Sequence, residues 1–285
     1  MIKIIKKRKS GAGFTLLELL IVIAIVGILS SIMIIAFPGY VDKARLANSF
    51  KFSDNIKGSL RQDTIVWYKF DETSGTVAKD AWWDQLHGTL IGGPTWIDGI
   101  MNNALSFDGV DDFVRVLDNN ILDTNGSFTL AMWFYNRAGT KSYPTLLNRA
   151  NQYGTNGFFW IFTGGVNEAD LNFQWANGSG RNEVFSGVLK KDVWQYIVFT
   201  FNNITKSLEL FVDGKKQSTA RTLTGYLPVD DGILYIGTYA GGTSAYPVYG
   251  YIDDLSIFSS NLSQSAIDKY YAQGLKKHQN LLAEN

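Results

Sequence analysis

The sequence predicts a mainly β protein, a jelly-roll β-sandwich carried on a long N-terminal α-helix. Three observations lead there. A single apolar run extends from Phe14 to Phe37. After Leu60 the text changes to short alternating apolar runs separated by Gly, Asn and Asp, the mark of strands and turns. Aromatic residues make up 14% of the chain, which suits a β core or a sugar-stacking surface.

The first element is a basic leader. Residues 1–13 hold Lys3, Lys6, Lys7, Arg8 and Lys9 and no acid, a charge of +5. The remainder sets 21 basic side chains against 26 acidic ones, a balance of −5. A mildly acidic body without a basic stripe argues against nucleic-acid binding. With no cysteine, disulfides and thiolate metal sites are excluded, and an exported fold must rest on its core.

The 24 residues from Phe14 to Phe37 are long enough to span a bilayer, with the leader on the cytoplasmic side. A cleaved secretory signal has a shorter apolar segment followed by small residues. Here Ser10-Gly11-Ala12-Gly13 precedes the run. Past a kink at Pro38-Gly39, Val41, Ala44, Ala47 and Phe50 recur at helical spacing and carry the helix toward Leu60. Glu18 is the only charged residue between Lys9 and Asp42. Inserting such an acid costs on the order of 2.5–3.5 kcal/mol, so it requires a partner.

The lysine-rich leader, Gly13-Phe14-Thr15-Leu16-Leu17-Glu18 and "LLIVIAIVGIL" resemble the N-terminus of type IV prepilins and type II secretion pseudopilins. The resemblance covers residues 1 to about 60. It implies cleavage by a prepilin peptidase between Gly13 and Phe14 and methylation of the new Phe14 amine. It also implies that Glu18, the fifth mature residue, serves assembly with other pilin-like subunits. Physically, an acid facing a buried amine offsets two charges that would each be costly alone.

In the body, strands are expected at 65–70, 113–117, 127–135, 158–163, 171–176, 194–202, 207–212, 233–238 and 250–258. Along 127–135, Phe128, Leu130, Met132 and Phe134 alternate with Thr129, Ala131, Trp133 and Tyr135, so both faces carry bulk. Asp213-Gly214 signals a tight hairpin. Ser263 reads as the N-cap of a short helix that Gly274 stops.

The segments "WYKFDETSGTVAKD", "HGTLIGGPTW", "ALSFDGVDDFVRV", "SFTLAMWF", "WQYIVFTFN", "LELFVDGK", "LYIG" and "GYIDDLSIFSSNLSQSAIDKYY" occur in that order. Together they resemble the laminin-G-like, concanavalin A-like lectin/glucanase domain of bacterial surface proteins, over residues 64–272. The resemblance implies a concanavalin A-like jelly roll. One departure is Ala81-Trp82-Trp83-Asp84-Gln85-Leu86, where the family has a stretch rich in Gly and Asn.

Glycosidases of this fold pair two carboxylates. Glu168-Ala169-Asp170 begins such a pattern, but no second glutamate follows, so an enzyme is not expected. Relatives of the domain often hold calcium, an oxygen-seeking cation, and Asp80 and Asp253 are the candidate ligands. Trp82, Trp83, Trp175 and Asn177 are the candidate ligand-binding residues, with Tyr153 and Trp160 further candidates by type. The expected layout is a leader at 1–13, a transmembrane or pilin helix at 14–61, a sandwich at 62–275 and a polar tail at 276–285.

The leading expectation is a pilin-like subunit in the cytoplasmic membrane or a surface filament. Its extracytoplasmic head would adhere to a glycan or a surface protein. A monomeric membrane-anchored carbohydrate-binding module and a glycoside hydrolase are the alternatives.

Overall fold

In the computed structural model the alternating runs form two antiparallel sheets packed face to face. The structure describes residues 16–17, 19–23, 63–117, 122, 126–139, 143–150, 157–164, 168–175, 181–217, 221–222, 232–239 and 246–284. The chain divides into two units, Met1–Gln62 and Asp63–Asn285. In the first, residues 16–17 and 19–23 are helical, with Leu16, Leu17 and Leu19 through Ile23 exposed. Among the described residues no helix is long and apolar enough to cross a membrane.

In the second unit the strands are β1 (Thr64–Tyr68), β2 (Val77–Ala78), β3 (Gly88–Ile91), β4 (Thr95–Asp98), β5 (Asn103–Asp108) and β6 (Phe113–Val116). Then come β7 (Phe128–Asn136), β8 (Thr145–Ala150), β9 (Gly157–Gly164), β10 (Asp170–Trp175), β11 (Arg181–Phe185) and β12 (Trp194–Asn202). The last are β13 (Ser207–Val212), β14 (Lys215–Lys216), β15 (Arg221–Thr222), β16 (Ile233–Ile236) and β17 (Tyr249–Phe258), followed by helix α1 (Gln264–Glu284).

Among the described residues, one sheet runs β14-β13-β12-β7-β17-β5-β4, with β1 also on β17 and β15 also on β13. The other runs β11-β10-β9-β8-β16-β6-β3-β2. All nine expected strands are present, and the period-two pattern shows why. Phe128, Leu130, Met132 and Phe134 enter the inter-sheet core. Opposite them, Phe173, Ile161, Leu147, Ile236, Val114 and Leu90 form one core row across the second sheet.

The outward residues of β7 are covered too. Trp133 is buried against Tyr196 and stacks on Tyr271 of α1, with ring centroids 5.7 Å apart. Ser263 caps α1 as expected: its carbonyl accepts from Ala266 N and Ile267 N, and its Oγ from Ala266 N at 3.4 Å. The expected stop at Gly274 is overturned. The helix continues to Glu284, so the supposed tail at 276–285 is helical through that residue. Gly274 is there for a different reason. A Cβ on it would lie 2.5 Å from Trp133 Cζ2, so only glycine lets the helix close on the indole.

The Asp213-Gly214 hairpin also forms, joining β13 to β14 with φ of 53° and 74°. The expectation missed β2, β3, β4, β5, β8, β11, β14 and β15.

Candidate functional site

Gly13, Phe14 and Glu18 lie outside the described residues, as do Asn177 and Tyr153. The remaining site candidates fall at four places in the second unit.

The first is the Trp82-Trp83 loop. Asp80 organises it from a buried position. Its Oδ1 accepts from Trp67 N at 3.3 Å and Trp82 N at 2.9 Å, and its Oδ2 from Trp83, Gln85 and Leu86 N at 3.3–3.4 Å. Such a carboxylate replaces the backbone ladder that an irregular loop lacks. Trp83 is 56% exposed, meets Trp82 edge to face and donates Nε1 to Thr64 O at 3.2 Å. Trp82 Nε1 is buried without a hydrogen-bond partner.

The second place is Asp253. It lies on β17 opposite Trp133, fully buried, where the pairing shifts register before Ser256. One carboxylate oxygen accepts from Met101 N at 3.0 Å, while Oδ1 is buried with no partner. Burial first, then the Asp254 charge, pushes its carboxyl up to about 8, against the opposing donation from Met101 N. For calcium the two candidates therefore differ. Both Asp80 oxygens are already turned to N–H donors, whereas Asp253 keeps one oxygen for a cation or a proton. Among the described residues, the only group of three or more metal-ligating side chains drawn together is Asp108, Asp111 and Asp112. These acids also build their own turn, since Asp108 N donates to Asp112 Oδ2 and Val110 N to Asp108 Oδ1.

The third place is the outward face of the second sheet. Register across β10, β9, β8, β16, β6 and β3 brings Gln174, Trp160, Asn148, Tyr235, Arg115 and Thr89 into one row. At about 4.8 Å per strand the row spans about 24 Å. Trp160 stacks on Phe162, with centroids 4.0 Å apart, and lies 4.6 Å from the Tyr239 ring. Its Nε1 donates to Thr145 Oγ1 at 2.8 Å, which fixes the indole. Tyr246 meets both Trp160 and Tyr239, and Tyr143 meets Phe162 and Tyr246. Beside Trp160, Asn148 donates Nδ2 to Phe159 O at 3.1 Å, while its buried Oδ1 has no partner. Polar side chains and rings alternate along this row, with Asn148 and Tyr235 buried within it. Trp175 ends β10, paired with Phe159 and Arg181.

The fourth place is on the first sheet, beyond α1. Trp194, Tyr135 and Tyr251 pair in one row, and Arg137 lies over Tyr249 at 4.3 Å and Tyr251 at 5.6 Å. Nearby, Glu168 Oε2 ion-pairs with Lys191 Nζ at 2.7 Å. Sequence reading missed Tyr143, Tyr239 and Tyr246, which sit in turns. It also missed the Tyr135–Tyr251 pair, for which the alternation along β7 is the only available signal.

Comparison with known proteins bears on the fold and on the N-terminal segment. The family model of the concanavalin A-like lectin/glucanases superfamily matches residues 108–268. The model of the prokaryotic N-terminal methylation motif matches residues 8–34. Fimbrial protein EcpC of Eikenella corrodens is 38% identical over 69 residues, 23% of this chain and 45% of that protein. A fimbrial protein of Moraxella nonliquefaciens is 46% identical over 48 residues, 17% of this chain and 31% of that one. The chain thus spans less than half the length of these relatives.

Among solved structures, domain 4 of an extracellular arabinanase from Geobacillus stearothermophilus, in complex with arabinotriose, has a TM-score of 0.58 at 15% identity. The match covers 72% of this chain and 96% of that one. The binding domain of Paraclostridial Mosquitocidal Protein 1 has a TM-score of 0.60 at 14% identity, covering 74% of this chain and 52% of that one. At such identities the likeness is one of fold.

Proposed function

Because the chain belongs to the concanavalin A-like lectin/glucanases superfamily and carries a prokaryotic N-terminal methylation motif, we propose that it is a pilin-like subunit displaying a glycan-binding head. Prepilin peptidase cuts after Gly13, the Phe14 amine is methylated, and the apolar helix holds the subunit in the membrane and then in a filament. The head adheres and does not transform its ligand. The observation that carries the binding half is the ring cluster of Trp160, Phe162, Tyr239 and Tyr246, in which a half-buried indole is fixed by its Nε1 bond to Thr145. A sugar ring stacking on the exposed part of these rings would bury its C–H face there. The Trp82-Trp83 loop is the second candidate surface.

Glycan-array binding tests the head. Trp160→Ala should weaken it at least tenfold, about 1.4 kcal/mol, and Trp83→Ala should leave it unchanged. Equal binding by the wild type and Trp160→Ala, with loss in Trp83→Ala, would move the site to the loop. The processing half is tested by the mass of the mature N-terminus. N-methylated Phe14 is expected, and a chain retaining Met1 in mature membranes would exclude filament assembly by this route.

A further inference from the structure

No cysteine is present, so no disulfide can brace the head. At one end of the sandwich, three loops instead converge on an amide, an amine and an acid. Asn136 ends β7 and is 3% exposed. Lys191 lies in the turn before β12, and Glu168 precedes β10 in left-handed conformation, with φ 55°. The side chains of Lys191 and Glu168 are 24% and 9% exposed. Lys191 Nζ lies 2.7 Å from Glu168 Oε2 and 3.1 Å from Asn136 Oδ1. Asn136 Nδ2 donates to Glu168 O at 3.3 Å, and Asp192 N to Asn136 O at 2.8 Å, so the carboxamide and the lysine-bearing turn are held together. Lys191 Nζ also reaches the carbonyls of Arg137 and Gly139, at 3.3 and 3.5 Å, which keep it inside the cluster.

An amine against a carboxamide, with a carboxylate in contact with the amine, supplies the reactants and proton carrier of an amide exchange. We propose that Lys191 and Asn136 become joined by an intramolecular isopeptide bond, with Glu168 as the catalytic acid–base. Glu168 Oε2 takes a proton from the Lys191 ammonium, and the freed Nζ lone pair attacks Asn136 Cγ. Glu168 then passes its proton to Nδ2 and accepts the next one from Nζ. The Nζ–Cγ bond has formed, the Cγ–Nδ2 bond breaks, and ammonia departs, carrying the last proton away as ammonium. No oxidant, metal or cofactor enters the balance. The partly exposed lysine end of the cluster gives the ammonia a way out.

The product ties the end of β7 to the start of β12, closing the chain between two adjacent strands of the first sheet. Intact mass spectrometry of the purified full chain tests it. The expected mass falls short of the sequence mass, for the N-terminus actually present, by one ammonia, about 17 Da. Proteolysis should release a branched peptide joining the segments around Asn136 and Lys191. Lys191→Arg and Glu168→Gln should both keep the full mass. A wild-type chain that stays at full mass after prolonged incubation overturns the proposal, and that measurement needs no variant to fold. Ammonia loss without a branched peptide overturns it too, because a succinimide at Asn125-Gly126 or Asn177-Gly178 leaves the same mass.

Discussion

Asp253 shows how far one buried residue can govern the head. The unfolded carboxyl titrates at 3.8, and the buried one near 8. Between those values the native state holds a proton that the unfolded chain has released. Stability from this group is therefore complete below the unfolded value and declines as pH rises toward 8. In calcium-free buffer the melting temperature of the wild type should fall across that window. Asp253→Asn should flatten the profile and raise stability near pH 8, by on the order of a few kcal/mol. A wild-type profile that stays level from about pH 5 to 8 would show that the group is solvated or paired.

Helix α1 shows where sequence reading succeeds and where it stops. Its start was legible because Ser263 has the chemistry of a cap whatever surrounds it. Its end was not, because Gly274 signals a stop locally while its actual task is contact with Trp133. Gly274→Ala should gain about 1 kcal/mol of helix propensity. It should lose about 1–3 kcal/mol to the clash with the indole. The net expectation is a lower melting temperature and a shifted Trp fluorescence. An unchanged melting temperature would mean that helix and sheet do not close that tightly.

The strands divide the same way. Long alternating runs such as β7 and β12 were legible. Strand β8 was hidden because Asn148 and Arg149, both buried, interrupt its apolar pattern. The site was half legible. Trp82 and Trp83 stood out in the sequence and Trp160 was a candidate by type alone, because Tyr239 and Tyr246 reach it from outside the strands and only register puts Asn148 beside it. The five N–H donors that converge on Asp80 from its own loop and from β1 carry no signature in the sequence.

At the scale of the whole molecule, the chain joins a pilin-like N-terminal segment to a lectin-like sandwich. The proposal of filament assembly makes Glu18 decisive. Glu18→Ala should leave membrane insertion intact and sharply reduce incorporation into filaments, as read by shearing and immunoblotting. Normal incorporation would remove the charge-pairing argument while leaving cleavage at Gly13 standing. The sheet order carries a further consequence. Strand β17 sits between β7 and β5 and also holds β1, so the centre of the first sheet is the last strand to be made. Until residues 249–258 have been synthesised, β5 and β7 lack their shared neighbour, and the first sheet keeps an open edge. The domain therefore cannot shut before its last strand is made, and any chain that terminates early is left exposed by the gap in the middle of its sheet.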